Sequence, residues 1–202
     1  MVTNAQQRTK QLLLTAGQDE FAAHGIAGAR VERIAAQAGV NKERIYAYFG
    51  SKEKLFDAVV AAAVDEVAAA VPITEAEDPA DYVGRVYDFH RANPTLVRLF
   101  LWEALHYREN PLPNDEDRAQ LYRTKVAALA KVLGVEASRD VAAVLLMLIG
   151  LAAWPNAVPQ MVRLILDEPT DSDEFTLDMR AHLVDFTRQA LPNAASTQCH
   201  VA

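Results

Sequence analysis

ARVERIAAQAGVNKERIYAYFGSKEK, running from Ala29 to Lys54, is the stretch whose reading decides the fold. Val31, Ile34, Ala35 and Ala38 recur at helical spacing, so the first part is a helix with one apolar face. Gly39 follows at once, where a helix commonly ends in a left-handed residue that glycine adopts without strain. Asn41 stands at an N-cap position, and Lys42 to Phe49 form a second short helix. Two helices joined by a tight, glycine-containing turn make a helix-turn-helix, a motif that places its second helix in the major groove of DNA.

At about 100° per residue, Ile45 and Phe49 share the side of the second helix that packs inward. The opposite side is centred on Ala47 and flanked by Glu43 and Arg44, with Tyr46 and Tyr48 on the two edges. A small residue at the centre lets the helix sink into a groove. Arg44 can reach guanine edges and Glu43 can accept from cytosine amino groups. The tyrosine hydroxyls suit phosphates on either wall of the groove. Ser51 caps a further helix whose first turn carries Lys52, a combination of helix N-terminus and cation suited to a backbone phosphate.

These residues resemble a known family. Phe21, Gly25, Val31, Ile34-Ala35, Ala38-Gly39-Val40, Tyr46, Tyr48-Phe49, Ser51-Lys52-Glu53 and Leu55-Phe56 are similar, in type and spacing, to the N-terminal domain of TetR-family transcriptional regulators. The resemblance covers the first quarter to third of the chain. It implies that Lys42, Arg44, Tyr46, Tyr48 and Lys52 fall on DNA-contacting positions. The helix before the turn usually begins with Thr or Ser in that family, whereas Gly28, Ala29 and Arg30 stand here, so Arg30 is the candidate for the backbone contact at that end. The resemblance also implies a helical body whose last two helices form a four-helix bundle across a dimer axis.

The charge distribution agrees with a DNA-reading head. The 202-residue chain carries a net charge of −7, but residues 1–56 hold eight Lys/Arg against five Asp/Glu, and the remainder holds twelve against twenty-two. A head so mildly basic needs a second head for tight binding, which calls for a homodimer on a palindromic duplex operator. Hydrophobic residues make up 51 % of the chain, enough for a large core. Ala, Leu, Glu and Arg abound and no alternating β-branched run occurs, so the fold is expected to be all-α. The single cysteine, Cys199, permits no internal disulfide. The polar first twenty residues lack a signal-peptide core, and the longest apolar stretch, Val141–Trp154, is too short to span a bilayer. A cytoplasmic protein is expected, without membrane association.

Outward from the motif, the periodicity predicts about nine helices. The first spans residues 6–24, with Leu13, Gly17, Phe21 and His24 on one face, and ends at Gly25. A mid-helix glycine at 17 costs about 1 kcal/mol against alanine, which a close helix crossing would justify. The helix from Ser51 reaches about Val71 and is stopped by Pro72; at about 30 Å it is a lever that the resemblance assigns to linking head and body. Residues 72–79 (PITEAEDP) read as a linker. The expected domains are therefore a head with connecting helix, 6–71, and a ligand-binding and dimerisation body, 80–192. Body helices are expected over 80–93, 95–108, 116–133, 138–154 and 175–191, with a short one over 158–167. The last ten residues read as a tail. Helix 138–154 is too apolar to expose and, with 175–191, is the expected dimer interface.

Within the body, Phe100, Trp102, His106, Tyr107, Met147, Trp154 and Met161 are the candidate lining of a site for a partly apolar, drug-sized effector, with His106 and Tyr107 as its polar groups. No phosphate loop, dinucleotide fingerprint or nucleophile elbow occurs. The five histidines form no pair at metal-ligand spacing, so neither metal, cofactor nor enzymatic activity is expected. The alternative to a regulator is an all-α, small-molecule-binding dimer whose head contacts a protein partner.

Overall fold

The computed structural model describes residues 4–74 and 77–191. Most of both tails, with Cys199, and part of the 72–79 linker lie outside the described residues. The described residues are all-α: α1 (Asn4–Gly28), α2 (Val31–Gln37), α3 (Lys42–Phe49), α4 (Lys52–Ala70), α5 (Pro79–Ala92), α6 (Pro94–Tyr107), α7 (Asp115–Leu133), α8 (Arg139–Ala157), α9 (Pro159–Leu166) and α10 (Asp173–Ala190). The short helix expected over 158–167 is α9, two turns long with Pro159 at its first position, and it brings the number of helices among the described residues to ten. α8 also runs past Trp154 to Ala157 with Pro155 inside its last turn, where the missing N–H leaves one i→i−4 bond unmade.

Two compact units result. The first comprises Met1–Val67 and Asn93–Pro113, the second Ala68–Ala92 and Asn114–Ala202. α6 thus belongs to the body in sequence order but to the head in space.

In the first unit, α1 is the spine. Leu13, Phe21, Ile34, Ile45, Leu55 and Phe56 are completely buried, and Phe21 meets Phe56 edge to face at 5.1 Å. The glycine at 17 marks a close crossing: a Cβ there would sit 2.9 Å from Val59 Cγ2. His24, expected on the same face, is exposed instead. Gly25 breaks the helix with φ 62° and ψ 178°, a conformation essentially confined to glycine. Above it lies the Trp102 ring, 2.8 Å from where a Cβ would stand. α6 is held along α1 and α4 by three further contacts. Trp102 Nε1–H donates to the Ala22 carbonyl, His106 packs edge-on to Phe56, and the Tyr107 hydroxyl donates to Asp57.

In the second unit α5 lies between α8 and α10. Asp78 caps α5 by accepting the Ala80 N–H, with Pro79 at the first helical position. α10 runs antiparallel to α5: Arg188 reaches Asp78 and Asp81, while Arg180 pairs with Asp88. Ser138 caps α8 and Ser172 caps α10, each accepting the amide three residues on. Just beyond α4, Lys125 donates to the Val71 carbonyl at 3.0 Å and Arg85 donates to the Pro72 carbonyl at 2.6 Å. Burial, and secondarily the charge of Arg85, hold the Lys125 amine below its ordinary pKa. His90 is buried on α5 with Nδ1 lacking a partner, and burial lowers its pKa too.

α8 is 19 residues long and, among the described residues, is the one helix apolar and long enough to cross a membrane by composition. That exceeds the Val141–Trp154 stretch because Arg139, Asp140 and the Pro155 turn are helical too. It buries Val141, Leu145, Leu148 and Ala152 and leaves Leu146, Met147 and Trp154 72 %, 66 % and 52 % exposed.

Candidate nucleic-acid interface

α2, the turn at Gly39 and α3 form the expected helix-turn-helix. Gly39 takes φ 68°, and the amides of Ala38, Gly39 and Val40 close the end of α2 on the carbonyls of Ile34, Ala36 and Ala35. Ile45 and Phe49 are the buried residues of α3. Lys42, Glu43, Arg44, Tyr46 and Ala47 are exposed and Tyr48 is half-buried, so the face read from sequence is the outward face. Tyr48 leans against Phe49 with ring centroids 6.3 Å apart, which limits its freedom. Asn41 occupies the N-cap in extended conformation, but its side chain makes no cap bond. Beside it an open depression is lined by Ala36, Gly39, Val40, Asn41 and Arg44.

The cations at the rim differ in their ties. Lys42 pairs loosely with Glu32 at 3.5 Å, both side chains more than half exposed, a contact that solvent screens. Lys52, the expected phosphate clamp, is half-buried, and its ammonium donates to the Ala29 carbonyl at 3.3 Å. That bond ties the first turn of α4 to the turn before α2 and leaves two of the three N–H donors of the ammonium. Ser51 is the cap of α4, accepting the Lys54 N–H at 3.1 Å.

The sequence reading missed Glu20. An acid within a helix is ordinarily solvated, but this side chain is only 7 % exposed. Its Oε1 accepts the Arg30 N–H at 2.8 Å, the first orphan donor of α2, where no hydroxyl stands. Arg33 Nε–H donates to both Glu20 oxygens at 2.8 and 2.9 Å, and its Nη2 reaches Oε1 and the Gly28 carbonyl. Burial by itself would raise the Glu20 pKa. The hydrogen bonds from Arg33 and the Arg30 amide outweigh it and hold the carboxyl below its ordinary value. The signal was present in the sequence as the absent cap at Gly28-Ala29-Arg30, which leaves a donor that some other group has to satisfy.

The seven body residues divide. Phe100, Trp102, His106 and Tyr107 lie on α6 in the first unit, and the last three are engaged in holding α6 to α1 and α4. Met147, Trp154 and Met161 belong to the second unit and are exposed. The reason is that α6 packs on the head, although its sequence follows the body's first helix. His106 and Tyr107 therefore serve that packing. No cluster of three or more metal-ligating side chains occurs among the described residues.

With this geometry in hand, comparison with known proteins is specific. Residues 13–59 match the family described as bacterial regulatory proteins, tetR family, and residues 78–189 match the tetracyclin repressor-like C-terminal domain. The HTH-type transcriptional repressor SCO4008 of Streptomyces coelicolor is 39 % identical over 169 residues, covering 82 % of this chain and 88 % of that protein. The HTH-type transcriptional repressor NicS of Pseudomonas putida is 34 % identical over 105 residues, about half of each chain. The crystal structure of SCO4942 from Streptomyces coelicolor superposes with a TM-score of 0.74 at 31 % identity, covering 92 % of this chain and 99 % of that one.

Proposed function

The chain belongs to the TetR family of transcriptional regulators, and from that premise we propose that it is a ligand-responsive repressor gripping a palindromic operator as a homodimer in the cytoplasm. The observation that carries the DNA reading is the outward face of α3, where Glu43, Arg44, Tyr46 and Tyr48 surround Ala47 over a buried Ile45 and Phe49. Arg44 and Glu43 read base edges in the major groove. Tyr46, Tyr48, Lys42, Lys52 and Arg30 meet phosphates on either side.

Dimerisation is supported by the apolar surface left on α8 and α10. Leu146, Met147 and Trp154 on the first and Leu177 and Phe186 on the second are all more than half exposed. A surface of this kind calls for a partner, and a second copy supplies the second head. The effector is a partly apolar small molecule held by the second unit. It acts along the chain, because α4 begins in the first unit and ends in the second, where Lys125 and Arg85 grip the carbonyls after its last turn. Shifting α5 or α7 pulls on that grip and re-aims the head. By linkage, an inducer and the operator weaken each other equally.

The test is a mobility-shift titration with duplex DNA from immediately upstream of the gene, comparing wild type with an Arg44→Ala, Tyr48→Phe double variant. We expect a sharp wild-type shift and a loss of roughly 1–3 kcal/mol in discrimination for the Arg44 contact alone. Binding that is equally weak and salt-labile on every fragment would favour a head that engages a protein instead.

A further inference from the structure

Arg30 and Arg33 stand three residues apart at the start of α2, and by sequence either could meet DNA. Their surroundings differ. Arg33's guanidinium is committed to Glu20 through three N–H···O contacts and to the Gly28 carbonyl through a fourth. To reach a phosphate it would have to abandon a buried carboxylate, which is far costlier than leaving an exposed one. Arg30 is exposed, and its guanidinium makes no hydrogen bond or ion pair among the described residues, while its backbone N–H is already given to Glu20. The first amide of α2 is thus spent on a carboxylate whose charge also offsets the positive helix end.

We propose that Glu20 is the positioning residue of this edge of the DNA-binding surface. It supplies from α1 the cap that α2 lacks, fixes Arg33 as a structural cation, and leaves Arg30 as the guanidinium that takes the phosphate. The inference rests on the DNA-binding reading and refines it, because it divides two look-alike arginines into one that binds and one that holds.

The experiment uses the full-length protein and a labelled 30-base-pair duplex of random sequence. Affinity is measured by fluorescence anisotropy across a KCl series for wild type, Arg30→Gln, Arg33→Gln, Arg33→Lys, Glu20→Gln and Glu20→Leu, alongside thermal unfolding of each. Arg30→Gln is expected to make the slope of log K against log salt shallower by about 0.9 per bound head, with Tm unchanged. Arg33→Gln and Arg33→Lys are expected to keep the wild-type slope and to lower Tm by about 5 °C. Glu20→Gln, which keeps an oxygen for the Arg30 amide, is expected to keep the slope and lose less Tm than Glu20→Leu. Equal loss of slope in the Arg30 and Arg33 variants overturns the proposal, as does an Arg30→Gln slope equal to wild type. If Arg33→Gln fails to fold, Arg33→Lys and Arg30→Gln decide it between them. A wild type showing no salt-dependent DNA affinity overturns the regulator reading itself, a result distinct from any pattern among the variants.

Discussion

At the scale of single residues, Gly25 is where backbone and packing meet. Its φ of 62° with ψ near 178° suits glycine alone, and the Trp102 ring fills the place of a side chain. Gly25→Ala therefore combines backbone strain of about 1–3 kcal/mol with a displaced indole, and we expect a loss at the upper end of that range or beyond by urea unfolding. Two buried titrating groups make stability pH-dependent in separate windows. Glu20 has its folded pKa below the ordinary 4.5, so its contribution is complete above that value and lost as pH falls through the folded pKa. His90 is also lowered, by burial, from an ordinary 6.5. Its neutral form fits the fold, and stability falls as pH drops below about 6.5 and protons favour the unfolded chain. Urea titrations from pH 8 to 3 should show both declines. Glu20→Gln should flatten the lower one and His90→Leu the upper.

At the scale of elements, what was legible in the sequence follows from periodicity and punctuation. The inward Ile45 and Phe49, the turn at Gly39 and the caps at Ser51 and Ser138 are local, and local chemistry suffices to read them. The outward face of α3 was legible for the same reason, since the buried side of an eight-residue helix fixes the exposed one. The end of α8 was misplaced because the helix runs on through Pro155 to Ala157. Two features were beyond local reading. The cap of α2 comes from Glu20, ten residues upstream, and nothing at Arg30 names the donor's partner. The role of α6 is set by what it packs on. Its sequence does not name its companion, and His106 and Tyr107, candidate polar groups of an effector site, also meet Phe56 and Asp57.

At the scale of the whole molecule, assembly is the quantity to measure. Leu146→Arg with Phe186→Arg places charges on the two most apolar exposed stretches of α8 and α10. We expect sedimentation to show a monomer that keeps its helical circular dichroism and loses at least 100-fold in operator affinity, since one head then binds without the other. The chain's route between its units has another consequence. It leaves the first unit after Val67, returns for Asn93–Pro113 and leaves again. Recombination at a single crossover cannot carry that unit whole from one gene to another. A chimera that grafts a foreign N-terminal third onto this protein keeps Trp102 and Tyr107 but loses the Gly25 and Asp57 they pack against. An engineer rewiring this regulator would therefore transplant two segments together, residues up to Val67 and Asn93–Pro113.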